Sequence, residues 1–401
     1  MTLSRKVQEE LLQRGFTRRH IARIALGAGA ALPFFHEFAL AQDDDAPRGR
    51  GRGGMGAGAF DPDVVRITSN ENPMGPMKEG LEALGKVAPL AWRYGPQGDN
   101  MNLQSLLAST EDVKSDYVVP YPGSGPALAN LVPAFCSPTR PWVMGQPGYG
   151  SGASRGIGVK VVHVPLRKDY THDVEAMIKM GPNAGAYYVC NPNNPTGTLT
   201  PRKDIEYLLA NKPKDAVVIL DEAYIHFSGR DHMSTDLVKA DKDVIVLRTF
   251  SKIYGMAGLR AGAAFGRPDL LEKLQKIGRS GNLSVATMAC AAASLRASKA
   301  VLPERMALNT KNRDRAFEFL NKAGVAYIPS VTNFFMISVK GMTAEEVYKA
   351  MAAKKVMLAG PQRWPEWPQH IRVTVGTLEE MGKFNAALAQ VLKEGPLSAK
   401  A

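Results

Sequence analysis

The sequence predicts an α/β fold, with a large domain built on a mostly parallel central sheet and a smaller α/β domain. Short apolar runs, among them 216–220 and 243–247, have the length and composition of buried parallel strands. Polar side chains follow these runs directly, at the position where open α/β sheets bind their ligands. A chain of 401 residues is also long enough for two domains.

Composition and charge narrow the classes of partner. The chain is 45% hydrophobic and 22% charged, as in ordinary globular proteins. Its formal charge is +12, and the positive residues are spread along the chain without a nucleic-acid motif. We therefore expect small-molecule partners and no nucleic acid. The three cysteines are too widely spaced for a metal site or a disulfide framework, so we expect no metal.

The N-terminal segment has the order of features found in an export signal. Residues 17–23, Thr-Arg-Arg-His-Ile-Ala-Arg, resemble the twin-arginine signal. An apolar run over 24–32 follows, and Ala-Leu-Ala at 39–41 offers a cleavage site. This predicts an exported or periplasmic protein without stable membrane anchoring, because the run is too short to span a bilayer. An amphipathic N-terminal helix is the alternative.

The predicted organisation combines these shifts in composition with a family resemblance that is set out below. The acidic and then Gly/Arg-rich stretch cannot bury a core, so ordered structure should begin near Phe60. The predicted segments are a signal peptide (1–41), a flexible arm (42–59), the N-terminal part of the small domain with active-site loops (60–100), a large cofactor-binding domain (101–298), a C-terminal small domain (299–395) and a tail (396–401).

Several turns in the first half of the chain could bind a ligand. The loop at 69–76 follows a short strand, and a helix over 78–87 leads from it to a second loop at 92–98. Ser124 and Gly125 lie in a Gly-rich turn between a strand and a helix, where free N–H groups favour a phosphate. Tyr149 follows the next strand, and its ring could lie against a planar cofactor or simply pack in its loop.

Two further strands end in polar groups. The strand at 186–190 runs into Asn-Pro-Asn-Asn-Pro-Thr-Gly, whose prolines restrict the preceding asparagines and fix the amide of Asn194 at the strand end. The strand at 216–220 ends in Asp221, which could pair with a protonated ring nitrogen or cap a helix. Tyr224 lies three residues further on, within reach of a phenolic oxygen.

Lys252 follows the strand at 243–247, beside the hydroxyls of Thr249 and Ser251 and near the guanidinium of Arg260. An amine in these surroundings suits a covalent bond to a phosphorylated aldehyde, with the hydroxyls and Arg260 holding the phosphate. A surface lysine and arginine on a loop would be the better interpretation if this stretch stood alone.

The C-terminal part continues with predicted helices and strands. Helices are expected over 268–276, 285–296 and 303–323, with a break before Pro303. A strand over 371–375 contains Arg372, a polar residue in an apolar run. Buried arginines need a counter-charge, so either a ligand carboxylate or an internal acid should meet it, and we favour the ligand.

Four segments in this order resemble the fold-type I pyridoxal-phosphate aminotransferases of class I/II: Asn191–Gly197, Asp221–Tyr224, Ser251–Lys252 with Arg260, and Ile371–Gly376. The Ser-Asn-Glu-Asn-Pro at 69–73 and Arg93-Tyr94 are most similar to the histidinol-phosphate aminotransferase branch. The resemblance covers roughly residues 64–392.

The resemblance implies pyridoxal 5'-phosphate as cofactor and assigns each site residue a role. Lys252 would bind the cofactor covalently and move protons, and Asp221 would hold the pyridine nitrogen. Asn72 would line the substrate pocket, and Arg372 would bind the substrate's α-carboxylate. The remaining cofactor contacts would come from Ser124, Gly125, Tyr149, Asn194, Tyr224, Thr249, Ser251 and Arg260, and from Tyr94 of a neighbouring subunit in a homodimer.

The predicted activity is amino transfer from an amino acid to a 2-oxo acid by a ping-pong mechanism. Two features separate the chain from histidinol-phosphate enzymes: the apolar run at 356–358 is followed by Ala-Gly-Pro instead of Arg, and an export signal is unusual for that pathway. Arg363 could replace the missing arginine in a shifted register. The alternative function is another reaction of the same cofactor, namely decarboxylation, elimination or oxygen-dependent oxidation, because the motifs bind the cofactor without fixing which bond breaks.

Overall fold

The computed structural model describes residues 3–29, 63–93, 97–154, 156–278 and 281–395. Its helices are α1 (Arg5–Gln13), α2 (Arg18–Gly29), α3 (Lys78–Val87), α4 (Gln97–Thr110), α5 (Gly125–Phe135), α6 (Val174–Met180), α7 (Arg202–Asn211), α8 (Thr235–Lys239), α9 (Pro268–Ile277), α10 (Val285–Ala323), α11 (Ala344–Ala352) and α12 (Leu378–Glu394). Its strands are β1 (Val65–Arg66), β2 (Val118–Tyr121), β3 (Trp142–Gln146), β4 (Val161–Pro165), β5 (Ala186–Cys190), β6 (Val217–Asp221), β7 (Val244–Thr249), β8 (Gly262–Gly266), β9 (Ala326–Ile328), β10 (Phe334–Ser338), β11 (Val356–Met357) and β12 (His370–Thr374).

The large domain is built on a seven-stranded sheet with the order β2-β8-β7-β6-β5-β3-β4. The pairs among β7, β6, β5, β3 and β4 are parallel, and β8 is antiparallel to both of its neighbours. All residues of β5, β6 and β7 are buried, which explains their continuous apolar runs. The predicted mostly parallel sheet is therefore confirmed, and the carboxyl ends of these three strands lie side by side.

The small domain combines the segment that begins at residue 63 with the C-terminal part of the chain. β10 pairs antiparallel with β9 and β12, and β1 pairs in parallel with β11. Both covering helices begin with a capping box, formed by Thr343 with Glu346 for α11 and by Thr377 with Glu380 for α12. Their apolar faces bury Phe384 and other side chains against this small sheet.

Helix α10 is continuous over 39 residues, so the predicted break before Pro303 was wrong. A proline inside a helix removes one backbone hydrogen bond, but packing along the whole helix outweighs that loss here. α10 packs against α3 and α4 at one end and against α12 and β9 at the other. By length and composition it could also cross a membrane. The domain boundary that we predicted between 298 and 299 falls inside this helix.

Residues 3–29 form a helical pair, α1 and α2, which we call the N-terminal hairpin. The side chains of Leu11, Phe16 and Ile24 are buried in the apolar cluster of the large domain, against α5 and α9. The prediction that ordered structure begins near Phe60 was therefore wrong, because apolar spacing in both helices gives them a buried face. Residues 30–62, which hold the predicted cleavage site and the predicted arm, and the tail 396–401 lie outside the described residues.

Candidate active site

The polar groups predicted at the strand ends meet at one edge of the large sheet. Asp221 is the last residue of β6 and lies opposite Cys190 of β5 and Leu247 of β7. The Asn191–Gly197 loop leaves β5 at this edge, and Lys252 follows β7. The parallel register therefore places Asn194, Asp221 and Lys252 on three neighbouring connections, as expected for a ligand site in an α/β sheet.

Asp221 is a buried carboxylate held in one orientation. It is 2% exposed, and its Oδ2 accepts a hydrogen bond of 2.8 Å from the hydroxyl of Tyr188. Its Oδ1 accepts a bond of 3.2 Å from the backbone N–H of Ala223. Burial, and then the nearby carboxylate, raises the pKa of Tyr188 well above its usual value, so this hydroxyl remains a donor.

Replacing Asp221 with Asn should lower kcat about 10²-fold, because a hydrogen bond to a charged group is worth about 1.5–3 kcal/mol and each 1.4 kcal/mol is a factor of ten. Steady-state kinetics and cofactor titration would measure the effect. Asp215→Asn is the matched control, since Asp215 is an exposed acid at the opposite end of the same strand. Unchanged kcat in Asp221→Asn would remove this carboxylate from the chemistry.

The groups predicted to hold a phosphate lie together. Ser124 is the N-cap residue of α5, whose first turn includes Gly125. Arg260 donates through Nη1 to Oγ of Ser251 at 3.2 Å, and Thr249 donates to the same oxygen at 3.0 Å.

The guanidinium of Arg260 also reaches the turn that precedes α5. A Cβ added at Gly123 would lie 2.4 Å from Nη2 of Arg260, so only glycine leaves room for the guanidinium there. A helix N-terminus, hydroxyls and a cation thus converge on one anion-binding cup, which fits the phosphate of the predicted cofactor.

Lys252 is half-buried between the cup and the small domain. Its Nζ donates to the backbone oxygen of Ser69 at 3.4 Å and lies 5.5 Å from the centre of the Tyr224 ring. The hydroxyl of Tyr224 accepts a hydrogen bond of 3.0 Å from Nδ2 of Asn70. Because that bond occupies a lone pair of the hydroxyl, its proton remains to be donated to a ring oxygen.

Arg372 is 2% exposed and has no carboxylate within 4 Å among the described residues. Its Nη1 donates to Oδ1 of Asn194 at 2.7 Å and its Nη2 to the backbone oxygen of Thr68 at 2.9 Å. Its Nε is buried without a hydrogen-bond partner. Burial, with the charge of Arg363 adding to it, lowers the pKa of Arg372 to about 9. A ligand anion at this site would offset that cost.

The structure places the remaining predicted residues as follows. Asn72 donates through Nδ2 to the backbone oxygen of Ile253 at 2.9 Å, which ties its loop to the residue after Lys252. It also lines a cavity of about 240 Å³ with Phe227. Tyr149 is half-buried against the apolar cluster of the large domain. Tyr94 lies outside the described residues.

Two residues of this site were missed by sequence reasoning. Tyr188 orients Asp221, and Asn70 orients Tyr224. The sequence does contain a signal for Tyr188. Tyr188 lies two residues before Cys190, so both side chains are on the same side of β5, and Cys190 is the residue that pairs with Asp221. Asn70 belongs to the 69–76 loop that was singled out, but its partner lies 154 residues away.

These contacts define a class of enzyme that binds pyridoxal phosphate on a lysine of the fold-type I scaffold. The chain belongs to the family "Aminotransferase class I and II", which matches residues 62–388. Within the described residues, no group of three or more His, Cys, Asp or Glu could hold a metal ion.

Curated relatives are histidinol-phosphate aminotransferases. The protein from Moorella thermoacetica is 30% identical over 336 residues, which cover 82% of this chain and 86% of that protein. Histidinol-phosphate aminotransferase 2 of Nitrosospira multiformis is 32% identical, covering 82% of this chain and 84% of the relative. The crystal structure of the Sinorhizobium meliloti histidinol-phosphate aminotransferase in complex with pyridoxal 5'-phosphate is 26% identical, with a TM-score of 0.74, covering 83% of this chain and 92% of that one.

Proposed function

We propose that this aminotransferase takes an amino acid with a free α-carboxylate as donor and a 2-oxo acid as acceptor, in a ping-pong cycle. The position of Arg372 carries the proposal. It is a buried cation of the small domain's strand β12, bonded to Asn194 of the large domain and without an acidic partner among the described residues. An α-carboxylate is the group that a guanidinium in such a position binds best.

The bound cofactor supplies an electron sink for the bonds at the substrate's Cα. The chain's own residues supply position and proton transfer. The amine of Lys252 would carry the proton that leaves the substrate's Cα, and the carboxylate of Asp221 would hold a proton on the pyridine nitrogen. The hydroxyl of Tyr224 and the amide NH₂ of Asn194 would donate to the oxygen of the ring hydroxyl. The Oδ1 of Asn194 is already bonded to Arg372, which leaves the NH₂ group as its donor.

A second cation adds to the substrate proposal. Arg363 is half-buried in the turn after the small domain's short strand β11, and no acid lies within 4 Å of it among the described residues. Burial lowers its pKa, and the nearby hydroxyls of Tyr149 and Tyr224 partly offset that. We therefore propose that the substrate carries a second anionic group, carboxylate or phosphate, which faces Arg363.

A panel of donors tests this proposal. Aspartate and glutamate should convert the cofactor to its amine form with kcat/KM at least 10-fold higher than leucine, because each carries a second anion. Replacing Arg363 with Gln should remove that difference in kcat/KM. Replacing Arg372 with Gln should weaken the binding of all α-amino acids. Histidinol phosphate, which has a phosphate but no α-carboxylate, tests whether the α-carboxylate that Arg372 is proposed to bind is required of the donor.

Absorption spectra of single half-reactions and assays for the 2-oxo acid product are the measurements. Release of carbon dioxide or peroxide with retention of the cofactor's aldehyde form would contradict amino transfer. An Arg363→Gln variant with an unchanged ratio between glutamate and leucine would contradict only the second-anion proposal.

We also propose a homodimer whose active sites include Tyr94 of the neighbouring subunit. Three exposed apolar side chains in the stretch before Tyr94 support it: Leu81 and Leu90 are about half exposed, and Trp92 is 73% exposed. Large apolar side chains that remain exposed on one subunit are candidates for burial in a subunit interface. Analytical ultracentrifugation should give a molecular mass twice that of the chain.

Export by the twin-arginine route is a further proposal. It is supported by Arg18 and Arg19, which are exposed at the start of α2 while apolar side chains of the same helix are buried. A receptor could bind this pair on the folded protein. Fractionation of cells producing the chain, compared with an Arg18→Lys, Arg19→Lys variant, would check the localisation.

A further inference from the structure

The N-terminal hairpin lies against the loop that carries Tyr149. We call residues 149–159 the Tyr149 loop; residue 155 is outside the described ranges. The buried side chains of the hairpin, including Ile21 and Ile24, belong to the same apolar cluster as Ile157 and Val159 of this loop. Hairpin and loop therefore share one buried surface, although more than 120 residues separate them in the sequence.

One hydrogen bond and one close packing contact hold the hairpin on the loop. Nη1 of Arg23 donates to the backbone oxygen of Gly156 at 2.8 Å. The ring of His20 lies so close to Gly158 that a Cβ added there would be 2.3 Å from Cε1 of the histidine. Both glycines have positive φ, of 71° and 80°, a backbone region that few other residues adopt. The conformation of this part of the loop is thus matched to the docked hairpin.

The other side of the Tyr149 loop reaches Tyr188 and, through it, the carboxylate of Asp221. A Cβ added at Gly150 would lie 3.0 Å from the ring of Tyr188, so the loop backbone covers that ring. The hydroxyl of Tyr188 holds Oδ2 of Asp221. Tyr149 itself packs against the same cluster. A continuous series of contacts therefore runs from the hairpin through the loop to Tyr149 and Asp221, two of the groups that would hold the cofactor.

We propose that the N-terminal hairpin is a positioning element of the cofactor site. Docked on the Tyr149 loop, it holds Tyr149 and the Tyr188–Asp221 pair in the arrangement that binds pyridoxal phosphate. When two binding equilibria are coupled, each strengthens the other by the same factor. Docking of the hairpin therefore strengthens cofactor binding, and the bound cofactor strengthens docking by the same factor. This inference uses only the cofactor site and holds whichever substrate the enzyme takes.

Cofactor affinity in hairpin variants of the full-length chain tests one direction. Leu11→Asp places a charge at a fully buried position of α1, and Leu12→Asp is the matched control because Leu12 is 43% exposed. The dissociation constant for pyridoxal phosphate, titrated into apoprotein, should rise on the order of 10-fold in Leu11→Asp, within the 5- to 150-fold typical of coupled sites, and stay unchanged in Leu12→Asp. Equal affinity in both variants, with the hairpin of Leu11→Asp shown to be undocked, would overturn the proposal.

Proteolysis of the wild-type chain tests the other direction. Trypsin cleavage after Arg14, Arg18 and Arg19 reports undocking of the hairpin. Saturating pyridoxal phosphate should slow this cleavage by the same factor by which docking of the hairpin strengthens cofactor binding. Cleavage at one rate with and without cofactor would also overturn the proposal. If Leu11→Asp does not fold, Arg23→Gln replaces it, since that side chain is exposed and the change removes only the bond to Gly156. It should raise the dissociation constant severalfold, and an unchanged value there counts against the proposal.

Discussion

Replacing Lys252 with Ala should lower kcat by about 10⁴-fold or more and should remove the visible absorption band of the lysine-bound cofactor. The amine has two tasks in the proposed reaction, covalent attachment of the cofactor and transfer of the Cα proton, and proton transfer alone contributes about 10²–10⁴-fold. Absorption spectra of the purified variant and single-turnover kinetics with a good donor are the measurements.

The matched control for this variant is Lys242→Ala. Lys242 is an exposed lysine at the amino end of β7, whereas Lys252 follows the carboxyl end of the same strand. The control should keep both the band and the activity. A Lys252→Ala protein that still shows the covalent band would place the cofactor on another amine, and the assignment of the whole site would fail with it.

Replacing Arg248 with Met should lower the free energy of unfolding by about 3–5 kcal/mol, the usual loss when one partner of a buried ion pair is removed. Arg248 lies in β7 and is 4% exposed. Its Nε donates to Glu222 at 2.8 Å and its Nη1 to Glu111 at 3.2 Å, and the side chains of both acids are at most 9% exposed. Without the guanidinium, two buried carboxylates lose their counter-charge.

Equilibrium unfolding in urea would measure this loss. Arg202→Met is the matched control, because Arg202 also bonds two acids, Glu206 and Asp236, but at the surface, where ion pairs contribute at most about 1 kcal/mol. The double variant Arg248→Met, Glu222→Gln should regain part of the stability. Equal losses in Arg248→Met and Arg202→Met would contradict a buried, tightly paired network.

The edge of the sheet that carries the site was predictable from sequence because it depends on local pattern. An apolar strand followed by Asp221, and another followed by Lys252, each indicates a carboxyl end, and parallel strands bring such ends together. The order of the strands was not predictable, since pairing is decided by contacts between distant segments. The antiparallel direction of β8 is an example, because its run of small residues is as compatible with one direction as with the other.

The groups that orient the reactive side chains were also beyond sequence reasoning. Asn70 and Tyr188 make their bonds across 154 and 33 residues of sequence, so even the motif that contains Asn70 does not reveal its partner. For the hairpin, an amphipathic N-terminal helix was the alternative to the export signal, and the sequence could not decide between them for a different physical reason. A twin-arginine segment with a short apolar run matches an export signal, and the same apolar residues at helical spacing can bury a face on a folded domain.

The continuity of α10 also constrains how this enzyme can be rearranged. At about 1.5 Å per residue, its 39 residues form a rod of roughly 58 Å that belongs to the cores of both domains. A fragment cut between residues 298 and 299 would carry only part of that rod, with its packing surface open to water. Chimaeras that exchange one domain with a homologue therefore need their crossover outside residues 285–323, and neither domain is a module that evolution could transplant alone.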